Sequence, residues 1–442
     1  MPSSILIRNA TILTMTDQLD IVQGAVSVRD GRIASVGAEP GERHDIAIDA
    51  AGGYLLPGFV QTHVHLCQTL FRGYADDLRL LDWLSTRVWP MEAAHTPASL
   101  TAAARLACHE LLRGGTTAIL TMETVHDTDA VFTAVSATGI RATLGKCMMD
   151  APPPDAPGRL RESLRRSIDE SLALHRQWHN TSDGRIRVAF APRFAISCSR
   201  ELLEEVASLS QRDLTLVHTH ASEQREEVDI VRRDSGFSNI EYLQAVGLTS
   251  PRLNAAHCVW VEPHEQDILA AADVKVTHCP GSNMKLGSGI APVPDMLDRG
   301  ICVSLGSDGA ACNNHLDMFG EMRLAALLQS IRLGPGALPA RQALTMATRN
   351  GARALGLEAE IGSIEAGKRA DLILIDRDRP HLAPSADPFS TLVYAARPGD
   401  VRMTMVDGEI LVRDGIASRL DAAQITSDAN REARALAMRA GL

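Results

Sequence analysis

Two histidines stand one residue apart in PGFVQTHVHL, residues 57–66. In an extended strand, residues i and i+2 point to the same face. His63 and His65 would therefore send both imidazoles into one space. Further polar residues recur at the ends of later apolar runs: His218 and His220 in HTHASE, His257 in AAHC, His278 in THCPGSN and Asp308 in LGSDGAACNN. One such histidine alone is usually a satisfied core residue. Polar groups at five strand ends are not accidental. A divalent metal explains the pattern. His63, His65 and His220 supply imidazole nitrogens and Asp308 a carboxylate, a set that suits zinc and also admits Fe(II). Such a metal lowers the pKa of a bound water, so that hydroxide exists near neutral pH. A closed structural zinc site is the competing reading, disfavoured because the donors come from opposite sides and include no cysteine. Glu223 follows His220 by three residues, where a carboxylate can take a proton from that water and return it to a leaving nitrogen.

The elements that must position these groups read as alternating strands and helices. From residue 57 the strands are PGFVQTHVH, TTAILTM, RATLGKCMM, RIRVAFAPRF, LTLVHTH, RLNAAHC, VKVTHCP and ICVSLGSD. Between them lie helical stretches such as SLTAAARLACHELLR, SRELLEEVASLSQ and HEQDILAAAD. Eight strand–helix units with near-continuous apolar strands argue a closed parallel (β/α)8 barrel, with catalytic residues at the C-terminal strand ends. An open doubly wound sheet should carry a Gly-rich phosphate turn, and no GxGxxG occurs. Both termini are β-rich and broken by DG and GG turns. The expected class is therefore α/β: a TIM barrel at 57–364, a small β-sandwich from 1–56 and 365–420, and a closing helix at 421–442.

Composition narrows the function. The chain has 442 residues, is 45% hydrophobic and carries a net charge of -10. That charge argues against a nucleic-acid surface, which needs clustered Lys and Arg. No apolar run reaches the roughly 20 residues of a membrane helix. The start, MPSSILIRNATILTM, lacks the features of a signal peptide, so a cytoplasmic enzyme is expected, without a membrane partner. Eight cysteines are scattered with no CxxC, and read as buried thiols.

Together PGFVQTHVH, HTHASE, AAHC, THCPGSN, LGSDGAACNN and GSIEAGKRADLILID resemble the amidohydrolase superfamily. The likeness is to its branch of cytosine, guanine, adenosine-thioether and s-triazine aminohydrolases, and it covers nearly the whole chain. It implies His63, His65, His220 and Asp308 as ligands of one divalent ion, zinc or else iron. It implies Glu223 as proton shuttle, His257 as a group orienting the water, and Asp308 as a second proton holder. Binuclear members carry a lysine at the end of the fourth strand. That strand ends APRF here, which implies a mononuclear site. His218 reads as a packed barrel histidine.

Two substrate readings compete. Gln68, Arg193 and Phe194 resemble the guanine-type deaminases, where a Gln and an Arg hold a ring amide and a Phe stacks on the ring. HLCQTLFRGYADDLRLLDWLSTRVWPME, residues 65–92, resembles enzymes deaminating S-adenosylhomocysteine, methylthioadenosine and 5'-deoxyadenosine, where the Glu matching Glu92 grips the ribose hydroxyls. Those enzymes usually have His where this chain has Arg193. GSGIAPVPDMLDRG also resembles the triazine hydrolases. Trp83 and His278 complete the expected substrate-contacting set. A cytidine-type deaminase would show HxE with PCxxC, which is absent. The expected function is metal-dependent deamination of an aminopurine nucleoside; a free base such as guanine or a pterin, or a triazine, is the alternative. Members of this branch often form homo-oligomers, and the chain shows no interface signal of its own.

Overall fold

The computed structural model describes residues 4–442. Eight strand segments run parallel around a barrel: Phe59–His65, Thr116–Met122, Arg141–Met148, Ile186–Pro192, Val217–Ala221, Leu253–His257, Lys275–His278, and an eighth strand in two pieces, Val303–Leu305 and Asp308–Gly309. The two pieces close the barrel. Val303–Leu305 pairs with the seventh strand, whereas Asp308 and Gly309 pair with Val64 and His65 of the first. The break falls at Gly306-Ser307. A Cβ on Gly306 would lie 2.6 Å from the backbone oxygen of His63, so only glycine allows the strands to approach here.

The strands are almost wholly buried, as expected for a parallel sheet covered by helices. Toward its lower end the barrel interior is partly polar. Thr62 Oγ1 lies 2.8 Å from Thr277 Oγ1 and 2.7 Å from Ser304 Oγ. The helix expected after the first strand is Pro97–Arg113, capped by Thr96 and Ser99. A segment of short helical pieces, Leu80–Trp83, Leu84–Val88 and Trp89–Ala94, precedes it, and its middle piece is a π turn. Such turns often mark functional sites.

The terminal β-rich parts join in one continuous nine-stranded sheet, separate from the barrel sheet. Tyr54–Pro57 pairs antiparallel with Leu372–Ile375 and splices the two halves. Ile7, Val26, Leu55, Leu374 and Met405 share one core beneath it. The tail is the helix Ala422–Ala440, which packs against Pro97–Arg113. No helix among the described residues is long and apolar enough to cross a membrane.

A buried ion pair fastens the sheet to the barrel. Arg141, at the start of the third barrel strand, donates from Nε and Nη2 to Asp371 at 2.8 and 3.0 Å, and from Nη2 to Asp407 at 2.7 Å. Removing one member leaves a buried charge uncompensated. Asp371→Ala should lower stability by about 3–5 kcal/mol, read as a fall in the urea midpoint, while leaving the distant strand ends intact.

Candidate active site

The strand ends bring the expected donors together. His63 Nε2 and His65 Nε2 each lie 3.3 Å from Asp308 Oδ1, and His65 Nε2 lies 3.2 Å from His220 Nε2. The far sides of the rings determine what the near sides can do. His65 Nδ1 is 2.6 Å from the Met122 carbonyl, and His220 Nδ1 is 2.7 Å from the Arg193 carbonyl. A carbonyl only accepts, so each Nδ1 carries the proton and each Nε2 presents a lone pair. Two lone pairs 3.2 Å apart cannot bond one another. His63 Nε2 is buried and has no hydrogen-bond partner. Two imidazole lone pairs, the unpartnered Nε2 of His63 and a carboxylate thus face one small space. A divalent cation fits that donor set.

Electrostatics keeps the donors in their ligating forms. Burial pushes His63 down to about 4, and lowers His65 and His220 as well, so all three rings are neutral. Burial opposes ionisation of Asp308, which is held below the usual carboxylate range only by positive charge beside it, on a protonated His63 or His65 or on a bound cation. Its Oδ1 accepts from its neighbour's backbone N–H at Gly309, 2.7 Å away, and its Oδ2 from the Ser282 hydroxyl at 2.6 Å.

Glu223 behaves oppositely. Burial, then the Asp308 charge, raises its pKa well above the usual value. Its backbone N–H donates to Glu227 Oε2 at 2.7 Å, which fixes the turn after the ligand strand. Its Oε2 lies 3.6 Å from His257 Nε2, and that nitrogen is 3.9 Å from Asp308 Oδ2. His257 and Asp308 have left-handed backbones, with φ of 72° and 61°. Such conformations cost energy in non-glycine residues and concentrate at functional sites.

Gln68, Trp83, Arg193 and Phe194 line the cleft above these groups, together with Leu80, Leu84 and Leu286. Glu92 and His278 are absent from that wall. Glu92 lies behind it. Its Oε2 accepts from Arg193 Nη1 at 2.6 Å, and its Oε1 from Arg193 Nη2 at 3.3 Å and Gln68 Nε2 at 3.1 Å. The residues of the two competing substrate readings therefore form one buried unit. Phe194 sits with its ring centroid 6.2 Å from that of His220. His278 is fully buried, with neither ring nitrogen bonded.

Supporting contacts emerge that the sequence reading did not supply. His218 Nε2 meets His63 Nδ1 at 2.7 Å and so orients that ring. Asn283 Oδ1 meets His257 Nδ1 at 2.9 Å. Ser282, Asn283 and His218 all lie inside the recognised motifs, so their motif membership was the available signal.

Asp308→Ala should lose the metal on dialysis, measured by metal analysis, whereas Glu223→Gln should retain it and lose turnover. Equal metal loss would contradict this division of roles. His218→Phe should weaken metal retention by about 10–100-fold, the usual cost of removing a partner that orients a ligand.

Residues 54–411 match the profile of the amidohydrolase family. The 5'-deoxyadenosine deaminase of Methanothermobacter thermautotrophicus is 45% identical, over 93% of this chain and 94% of that one. The 5-methylthioadenosine/S-adenosylhomocysteine deaminase of Pelotomaculum thermopropionicum is 39% identical, over 99% and 100%. The fold matches a zinc-bound adenosine deaminase from Xanthomonas campestris with a TM-score of 0.90 and 32% identity, covering 98% of each chain. The profile over residues 54–411 agrees with sequence and fold matches that span nearly the entire length: this chain belongs to the amidohydrolase family.

Proposed function

We propose that the protein is a metal-dependent deaminase of adenine nucleosides whose 5' position carries an apolar or thioether group. The substrate class is that of 5'-deoxyadenosine and methylthioadenosine, with S-adenosylhomocysteine as the larger member. The observation that carries the reading is the set His63, His65, His220 and Asp308 beside the buried carboxyl group of Glu223. The names of the full-length relatives support the nucleoside. The wall formed by Leu80, Trp83, Leu84 and Leu286 supports an apolar 5' group.

A divalent ion held by those four residues would supply a Lewis acid that lowers the pKa of water and makes a hydroxide nucleophile available. Zinc suits the donors and matches the zinc-bound neighbour. One ion is proposed, because both candidate donor clusters among the described residues include His63. Asp308 takes one proton from the attacking water. Glu223 delivers its proton to the ring nitrogen beside the amino-bearing carbon as that carbon becomes tetrahedral. Asp308 then passes its proton to the amino group, which leaves as ammonia. Glu223 recovers a proton from the new hydroxyl, giving the ring carbonyl. His257 faces both carboxylates and orients the attack. Phe194 offers an apolar face to the ring, and Arg193 donates to a ring acceptor.

Arg193 and Gln68 on the wall also favour a second reading, a lactam-bearing free base. Relative kcat/KM on 5'-deoxyadenosine and guanine, followed as ammonia release, separates the two. The nucleoside should be preferred; a clear preference for guanine would reverse the order. No release from any aminopurine, nucleoside, pterin or triazine would overturn the deaminase reading itself.

Because Glu92 acts through Arg193, Arg193→Met and Glu92→Gln should each cost roughly 2–4 kcal/mol in kcat/KM. The double variant should cost little more than either single one, since residues in one network are not additive. Fully additive losses would show that Glu92 contacts the substrate independently.

A further inference from the structure

A second group of potential metal donors meets the first at His63. One ligand atom each from His63, His257 and Cys279 lies within 4.8 Å of the other two. All three side chains are fully buried. The Nδ1 atoms of His63 and His257 are taken by His218 and Asn283. Their Nε2 atoms remain, and both are buried without a hydrogen-bond partner. Cys279 Sγ has only a weak contact, 3.9 Å to the Thr277 carbonyl. The two clusters differ in chemistry. His63, His65, His220 and Asp308 offer nitrogen and oxygen donors only. His63, His257 and Cys279 offer two nitrogens and a sulfur, and thiolate ligands select softer ions.

We propose that the centre has two mutually exclusive metal positions that share His63, and that the His257–Cys279 position captures soft divalent cations in an inactive form. Binding there replaces the thiol S–H bond by a sulfur–metal bond and releases one proton to solvent through the cleft. It has two consequences. It draws His257 away from Glu223 and Asp308, which it faces at 3.6 and 3.9 Å. It also takes His63 from the nitrogen–oxygen position, so the catalytic ion cannot be held as before.

Cadmium added to the zinc-loaded enzyme provides the test, with ultraviolet absorption, metal analysis and activity followed together. A thiolate-to-cadmium charge-transfer band should grow as zinc is released mole for mole, and activity should fall in step. Cys279→Ser should lose the band and raise the cadmium needed for half-inhibition, relative to its own untreated rate, on the order of tenfold or more. Cys312→Ser removes the other buried thiol near Asp308 and should keep the band. Cys279→Ala, checked for zinc content and circular dichroism, guards against a folding defect in the serine variant. A band that survives in both Cys279 variants, or cadmium uptake without a band, would overturn the site. Zinc retained beside bound cadmium would overturn the shared-ligand arrangement. The spectroscopic and metal readouts involve no substrate, so they stand or fall separately from the deaminase reading.

Discussion

The arrangement at the barrel mouth depends on one electrostatic constraint: lone pairs are made to face each other. Backbone carbonyls at Met122 and Arg193 accept the Nδ1 protons of His65 and His220, so the Nε2 atoms meet bare at 3.2 Å. In water the rings would turn or take up protons. Here packing prevents the first and burial prevents the second. The protein holds the donors in a geometry that is unfavourable without a cation, and that is a direct physical description of a preorganised metal site. The same burial pushes the pKa of Glu223 up, while that of Asp308, which shares His257 as a neighbour, is held low. Surroundings alone thus push two carboxylates in opposite directions, as the different tasks proposed for them require.

Holding such a site needs a rigid frame. The left-handed backbones at His257 and Asp308, and the interruption of the eighth strand before Asp308, are local departures from regular β structure. They persist because the surrounding barrel over-determines them. Gly306 lets the broken strand press against the His63 backbone, so ligands on the first and eighth strands are fixed relative to each other. At the opposite mouth, Arg141 ties the barrel to Asp371 and Asp407 of the terminal sheet. That sheet carries none of the proposed donors. Its part is to close the bottom of the barrel with paired charges in place of solvent.

Much of this was legible in the sequence, and the reasons are specific. Parallel strands covered on both faces read as continuous apolar runs, so all eight could be marked, and a histidine interrupting such a run stands out. The spacing in His63-Val64-His65 already placed two donors on one face. What could not be read was pairing across distance. Nothing local in Tyr54–Pro57 announces that it will bond to Leu372–Ile375. Ring tautomers depend on carbonyls many residues away. His218 was seen as a packed histidine, but its bond to His63 is a three-dimensional fact. Glu92 and Arg193 are 101 residues apart and appeared as members of rival readings.

Their union changes the substrate argument. Glu92 accepts from both Arg193 and Gln68, so it holds the guanidinium in place and fixes which end of the Gln68 amide faces it. Arg193 can offer only donors to the cleft. Gln68, with its Nε2 committed, has its carbonyl oxygen left over, and that oxygen is buried without a partner. A ring with a lone pair on one edge and an N–H on another satisfies this pair, and adenine and guanine both qualify. Ring recognition by these two residues therefore does not separate nucleoside from free base. The separation falls to the apolar wall. Leu80, Trp83, Leu84 and Leu286 add apolar surface to the cleft that Phe194 also lines. A free base would leave that surface wet. A 5'-deoxy or 5'-methylthio group would cover it, at roughly 25 cal/mol gained per Å² of apolar area removed from water. In the proposed reaction the polar groups would read the ring, and the hydrophobic ones would select what is attached to it.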